Sequence, residues 1–220
     1  LPSPLPATLI AGFGSAAKAP VIEALLRHKP AGEHWALIAP AGLLGVPRVQ
    51  NSPGLIVQTV APGCPCCTGL TPFSAGLVAL LRRLRDTPVT RLLIEGGAEG
   101  HIATIRQLLA KPELSPHVAL AHATAVINPD WLEQGEGSAA HASLMELAGS
   151  ADSLIAHPWE NAEPMQSMQS TNHTSAANFG HWAASFTPAK PWTPVSNGTL
   201  GAEFARLLLP GAPAGEGSGV

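Results

Sequence analysis

The sequence predicts an α/β fold built on a doubly wound, mostly parallel sheet, with a small β/α appendage at its C-terminal end. Three observations carry this. Short, nearly continuous apolar runs recur along residues 7–156, stretches with helical periodicity separate them, and a glycine-bearing turn joins the first run to the first helix. Strands covered on both faces read as unbroken apolar runs. Alternation of strand and helix calls for crossovers that leave the strands parallel.

Taken in order, the runs Ala7 to Ala11, Trp35 to Ala39, Leu55 to Val60, Leu92 to Glu95, Ala123 to Ile127 and Leu154 to Ala156 predict strands. A helix is expected over Val21 to Leu26, starting late because Pro20 pushes Ala19 away from helical dihedrals. The clearest helix places Phe73, Leu77, Leu80, Leu81 and Leu84 on one stripe, with Thr71 positioned to cap it and Pro72 in the first turn. Ile102, Ile105, Leu108 and Leu109 form a second stripe. The polar, aperiodic stretch 163–178 reads as a linker, followed by a strand over His181 to Thr187 and a helix over Leu200 to Leu208. Residues 209–220 read as a disordered tail.

Composition narrows the function. The chain has 220 residues, 45% hydrophobic and 12% charged, which supports one sizeable core beneath an unusually neutral surface. Its 12 Lys and Arg residues form no cluster beyond Arg82, Arg83 and Arg85, and the net charge is -3, so no basic stripe marks a nucleic-acid partner. No apolar run is long enough to cross a bilayer. The opening LPSPLPATLI lacks a basic region and carries three prolines, unlike a secretory leader. All three cysteines sit within four residues, which argues against a disulfide framework and for a reducing, cytoplasmic setting.

Two motifs suggest chemistry. Gly12-Phe13-Gly14-Ser15-Ala16-Ala17-Lys18-Ala19-Pro20 follows the first strand and opens the first helix. A phosphate loop in that setting uses glycines for close backbone approach, a lysine for charge and a hydroxyl for Mg²⁺. Gly12, Gly14, Ser15 and Lys18 are therefore the candidate nucleotide-binding residues. Ala17 stands where the second glycine belongs, Ala19 replaces the hydroxyl, and Pro20 has no amide to offer a phosphate. The second motif is Gly63-Cys64-Pro65-Cys66-Cys67, after the third strand. Thiolates suit Zn²⁺ or a similar ion, and three of them leave a tetrahedral site one ligand short. Buried apolar thiols or a redox-sensing pair are the other readings.

In their order along the chain these pieces resemble the CobW-type GTPases and metallochaperones, relatives of HypB and UreG, from Leu9 to about Glu160 with a fainter echo over His181 to Leu208. GCxCC is the most specific shared motif and stands here as Gly63 to Cys67. The resemblance implies a P-loop fold, with a GTPase-like domain over 1–162 and a shrunken C-terminal domain over 179–208. It implies metal ligation by Cys64, Cys66 and Cys67, nucleotide contacts at the loop, and a catalytic carboxylate at Glu95 in an ExxG-like segment. Other family motifs are altered. Ala39-Pro40-Ala41-Gly42 replaces the NEFG-like strand end, Ala98 the ExxG glycine, Asn128-Pro129 the end of VVDA, and His157-Pro158-Trp159-Glu160 the guanine-reading NKxD. Phosphoryl transfer depends on Mg²⁺ and phosphate amides, so GTP with Mg²⁺ is not expected to be turned over in the ordinary way.

The expected function is thus metal handling by a pseudo-GTPase. The ion would be Zn²⁺ or another divalent transition metal such as Co or Ni, and the partners a client metalloprotein, a partner subunit or a second copy in a homodimer. An atypical GTPase completed by a partner and a non-catalytic scaffold are the alternatives. His101, His173 and His181 are minor candidates for the missing ligand. Trp35, Trp182 and Trp192 are expected to fill core or interface.

Overall fold

The computed structural model describes residues 3–13, 15–41, 52–61, 69–96, 102–133, 139–157, 176–194 and 200–209. Within them lie seven strands: β1 (Leu5–Gly12), β2 (His34–Pro40), β3 (Leu55–Val60), β4 (Val89–Glu95), β5 (Val118–Ile127), β6 (Ser153–Ala156) and β7 (Trp192–Pro194). They form one sheet in the order β3-β2-β4-β1-β5-β6-β7, and every pairing is parallel. The helices are α1 (Ser15–Arg27), α2 (Leu70–Arg83), α3 (Ile102–Leu109), α4 (Ala139–Ser150), α5 (Ala176–Ala184) and α6 (Ala202–Leu208), with a 3₁₀ turn at Pro129–Glu133.

Period-two alternation along the strands sorts the core into two layers. Leu9, Ala36, Leu92, Ile94 and Ala125 face one way and meet Phe73, Leu77 and Leu80 of α2, Ile105 and Leu108 of α3, Leu147 of α4 and Phe179 of α5. Ile10, Leu37, Leu93, Val126 and Ile155 face the other way and meet Val21, Ile22 and Leu25 of α1 and Leu208 of α6. Because both faces are covered, the central strands are mainly apolar, and the polar side chains Thr8, Arg91, Glu95, His122 and Thr124 among them are themselves buried. Trp35 is fully buried in the second layer, as a core filler should be.

Three local expectations are corrected. Helix α1 starts at Ser15 and takes Pro20 into its body; one lost backbone hydrogen bond is tolerated because Ala17, Val21, Ala24 and Leu25 bury the same face. Helix α2 starts before Thr71: Gly69 is its N-cap, with no side-chain cap bond, and the Phe73 amide donates to the Gly69 carbonyl at 2.9 Å. Pro72 does lie in the first turn, where its missing N–H is not needed.

The third correction is the largest. The predicted strand at His181 to Thr187 is instead occupied up to Ala184 by α5, which begins at Ala176 inside the span read as linker. Aromatic packing explains it. Phe179 lies 5.4 Å from Trp182 and 5.2 Å from Trp192, and Trp182 meets Phe186 edge-on at 5.1 Å. Gly180 lets the Trp192 ring close, since a Cβ there would stand 3.2 Å from it. Strand β7 then extends the main sheet, and α6 is tied to its centre by the buried Thr8 hydroxyl, which donates to the Leu208 carbonyl at 2.6 Å.

Candidate functional site: the carboxyl edge of the sheet

Parallel strands present their carboxyl ends along one edge, where ligands of open α/β sheets gather. In the middle of that edge β1 ends at Gly12 and the chain turns into α1. Gly12 is a packing requirement in its own right: a Cβ would stand 2.8 Å from the Val126 carbonyl oxygen and 3.2 Å from its Cβ. Gly14 and the Ser15 side chain lie outside the described residues.

Lys18 and Glu95, distant in sequence, are brought together here. Lys18 is the fourth residue of α1 and is 0% exposed; Glu95 ends β4 and is 2% exposed. The Lys18 Nζ donates to the Gly12 carbonyl at 3.1 Å and stands 3.9 Å from Glu95 Oε1. Lys18 is therefore a buried, engaged cation and not a solvated surface charge. Burial is the larger influence on both groups. It pushes the Glu95 carboxyl up to about 7, against the opposing pull of Lys18, and lowers Lys18 from its ordinary value while Glu95 works the other way. Gly96 continues the strand by donating its amide to the Ile10 carbonyl at 2.8 Å.

Ala17 and Ala19 are 0% and 7% exposed, so neither methyl reaches toward a ligand on the open edge. Around them, Pro40 closes β2, Asn128 is buried just beyond β5, and His157 follows β6 with its amide on the Ile127 carbonyl at 2.9 Å. Burial lowers His157 from its ordinary value. Phe13 and Trp131 pack at 5.4 Å beside the loop; sequence reading did not single out this pair, since nothing in local spacing joins residue 13 to residue 131.

Cys64, Cys66 and Cys67 lie outside the described residues, as do His101 and His173. The chain leaves β3 at the same carboxyl edge, where the Ala41 amide donates to the Val60 carbonyl at 2.7 Å, and Gly69 caps α2. No group of three or more His, Cys, Asp or Glu side chains converges to hold a metal among the described residues. His181 is on α5 and exposed. No helix among the described residues is long and apolar enough to cross a membrane.

A seven-stranded parallel sheet with helices on both faces and a lysine-bearing loop after its central strand defines an α/β fold of the P-loop NTPase type. Residues 6–178 match the CobW/HypB/UreG nucleotide-binding domain, and the chain belongs to that family. It is 31% identical over 158 residues to the zinc chaperone YeiR of Escherichia coli (strain K12), covering 71% of this chain and 47% of that protein. The chain thus spans about half the length of this curated relative.

Among solved structures, the Zn(II)-bound YjiA GTPase from E. coli superposes with a TM-score of 0.57 at 16% identity, over 91% of this chain and 60% of that one. HypB from Helicobacter pylori in complex with nickel gives 0.51 at 10% identity, over 85% and 77%. At these identities the superpositions establish the shared fold.

Proposed function

We propose that this protein handles a transition metal through Cys64, Cys66 and Cys67 and has lost ordinary GTP turnover. The reading of the metal is supported by the Gly63-Cys64-Pro65-Cys66-Cys67 stretch, in a family that includes a zinc chaperone 31% identical to this chain. Thiolates select borderline and soft ions, so Zn²⁺ is the first candidate, with Co²⁺ and Ni²⁺ behind it. A fourth position left to water or a partner's ligand suits transfer better than permanent storage. The setting is cytoplasmic, where the thiols stay reduced.

The observation that carries the nucleotide half is the burial of Lys18 against Glu95. The phosphate-loop cation is already engaged inside the protein, and Ala19 and Pro20 remove a Mg²⁺ ligand and a phosphate amide from the same loop. If nucleotide does bind, Gly12, Gly14, Ser15 and Lys18 are the residues to hold it and Glu95 the one to orient a water. Those roles rest on the family motif.

The test is metal analysis of protein purified anaerobically, with GTP hydrolysis measured on the same sample. One equivalent of zinc in the wild type, none in Cys64→Ser/Cys66→Ser, and no Mg²⁺-dependent hydrolysis are expected. Absence of metal under reducing conditions overturns the metal half. Hydrolysis abolished by Lys18→Ala overturns the other half and favours an active GTPase.

A further inference from the structure

A carboxylate and an ammonium, each almost wholly withdrawn from water, face one another at the mouth of the loop. Glu95 reaches Lys18 from the neighbouring strand, on the sheet face that α1 covers, since Leu93 two residues earlier lies in that layer. Among the described residues, the charged and titratable groups on this face are Lys18, Glu23 and Arg27 of α1, Lys29, Glu33 and Arg91 near the opposite ends of the strands, His122 of β5, and Glu203 and Arg206 of α6. β1 carries none, and β2 carries only His34, at its far end. Of these, Lys18 alone acts electrostatically on Glu95.

An anion entering the loop must draw the same ammonium. A phosphate or sulfate placed at the start of α1 finds backbone amides there, but in this structure Lys18 is turned inward to the Gly12 carbonyl and Glu95. Taking the ammonium would strand an ionised, 2% exposed carboxylate in the interior, which is strongly unfavourable. A neutral Glu95 carries no such penalty.

We propose that Glu95 is a latch on the loop: while ionised it holds Lys18 inside and excludes tetrahedral oxyanions, and when neutral it releases Lys18 to bind them. This rests on the reading of residues 12–18 as a nucleotide-derived phosphate loop. It explains how a family member can keep the lysine and still present a closed site. With the carboxyl at about 7, the latch is half open near neutrality, so acidification or a proton-donating partner opens it.

Sulfate is the suitable probe, because its charge is constant over this pH range. Binding is measured by calorimetry with the full chain at pH 6, 7, 8 and 9. Wild-type affinity should weaken by about tenfold per pH unit above pH 7, while Glu95→Gln should bind at pH 8 at least as tightly as wild type at pH 6. Lys18→Met/Glu95→Gln should not bind. Wild-type affinity that is flat with pH overturns the latch without needing any variant, and so does absence of sulfate binding at every pH in wild type and Glu95→Gln alike. Either failure leaves zinc binding by the cysteines untouched. Mg²⁺-dependent GTP hydrolysis by wild type at pH 8 would instead overturn both the latch and the proposed loss of turnover.

Discussion

Replacing Lys18 with methionine removes the ammonium while keeping a buried stem, and its effect on stability should depend on pH in a defined way. In the folded protein the Glu95 carboxyl lies at about 7, against an ordinary 4.5. A group raised on folding contributes stability that is complete below its unfolded value and lost as pH rises through its folded one. In wild type that loss runs between those two values, about 2.5 pH units at about 1.4 kcal/mol each, or about 3 kcal/mol. Above pH 7 the wild-type curve levels off, because the carboxyl is then ionised beside Lys18. Without Lys18 the carboxyl rises further, stays protonated to higher pH, and stability keeps falling by about 1.4 kcal/mol per unit.

Lys18 itself acts in the same sense. Its lowered value contributes stability at high pH in wild type, and the variant lacks that contribution. The difference between the two proteins should therefore be roughly constant below pH 7, near the ~1 kcal/mol of the lost bond to the Gly12 carbonyl. It should widen by about 3 kcal/mol between pH 7 and 9. Urea unfolding followed by tryptophan fluorescence at four pH values measures this, with Lys18→Met/Glu95→Gln as the control in which the widening disappears. A difference that stays constant from pH 6 to 9 would refute the buried pair.

Two further outcomes test the surroundings. Gly12→Ala forces a methyl against the Val126 backbone carbonyl, which cannot rotate aside, so a loss of about 1–3 kcal/mol and a lower Tm are expected; an unchanged Tm would mean that β1 and β5 separate more easily than their register implies. Thr8→Val keeps the shape but strips the donor from the Leu208 carbonyl, at a cost of about 1–3 kcal/mol, and amide exchange should rise in α6 more than in α2.

How much of this was legible in the sequence varies with how local the determinants are. β3 was readable to the residue at Leu55–Val60, because a short apolar run bounded by turn residues has few other solutions. The misreading of α5 came from starting at His181. Phe179, Trp182, Ala183 and Phe186 repeat at helical spacing, and omitting Phe179 left an apolar cluster that passes for a strand. Thr71 looked like a cap because it precedes a proline, whereas tertiary packing begins α2 earlier, at Leu70.

At the site, the glycine-to-lysine spacing was visible and the significance of Glu95 came only from the family motif. That the two charges touch is a product of strand order. β4 lies beside β1 although much of the chain separates them, and no spacing rule along the sequence encodes that.

The same strand order has a consequence for the chain as it leaves the ribosome. β1 is synthesised first yet sits between β4 and β5, and its Thr8 hydroxyl finds its acceptor only at Leu208. The nascent Leu9–Ile10–Ala11 segment therefore waits with unpaired edges, Leu9 meeting its β4 partner Ile94 only 85 residues later and its β5 partner Ala123 only 114 residues later. Unpaired apolar strands of this kind are what chaperones engage and what aggregates when they are scarce. Yield in cells should accordingly respond to translation speed and chaperone supply before it responds to the stability of the finished fold.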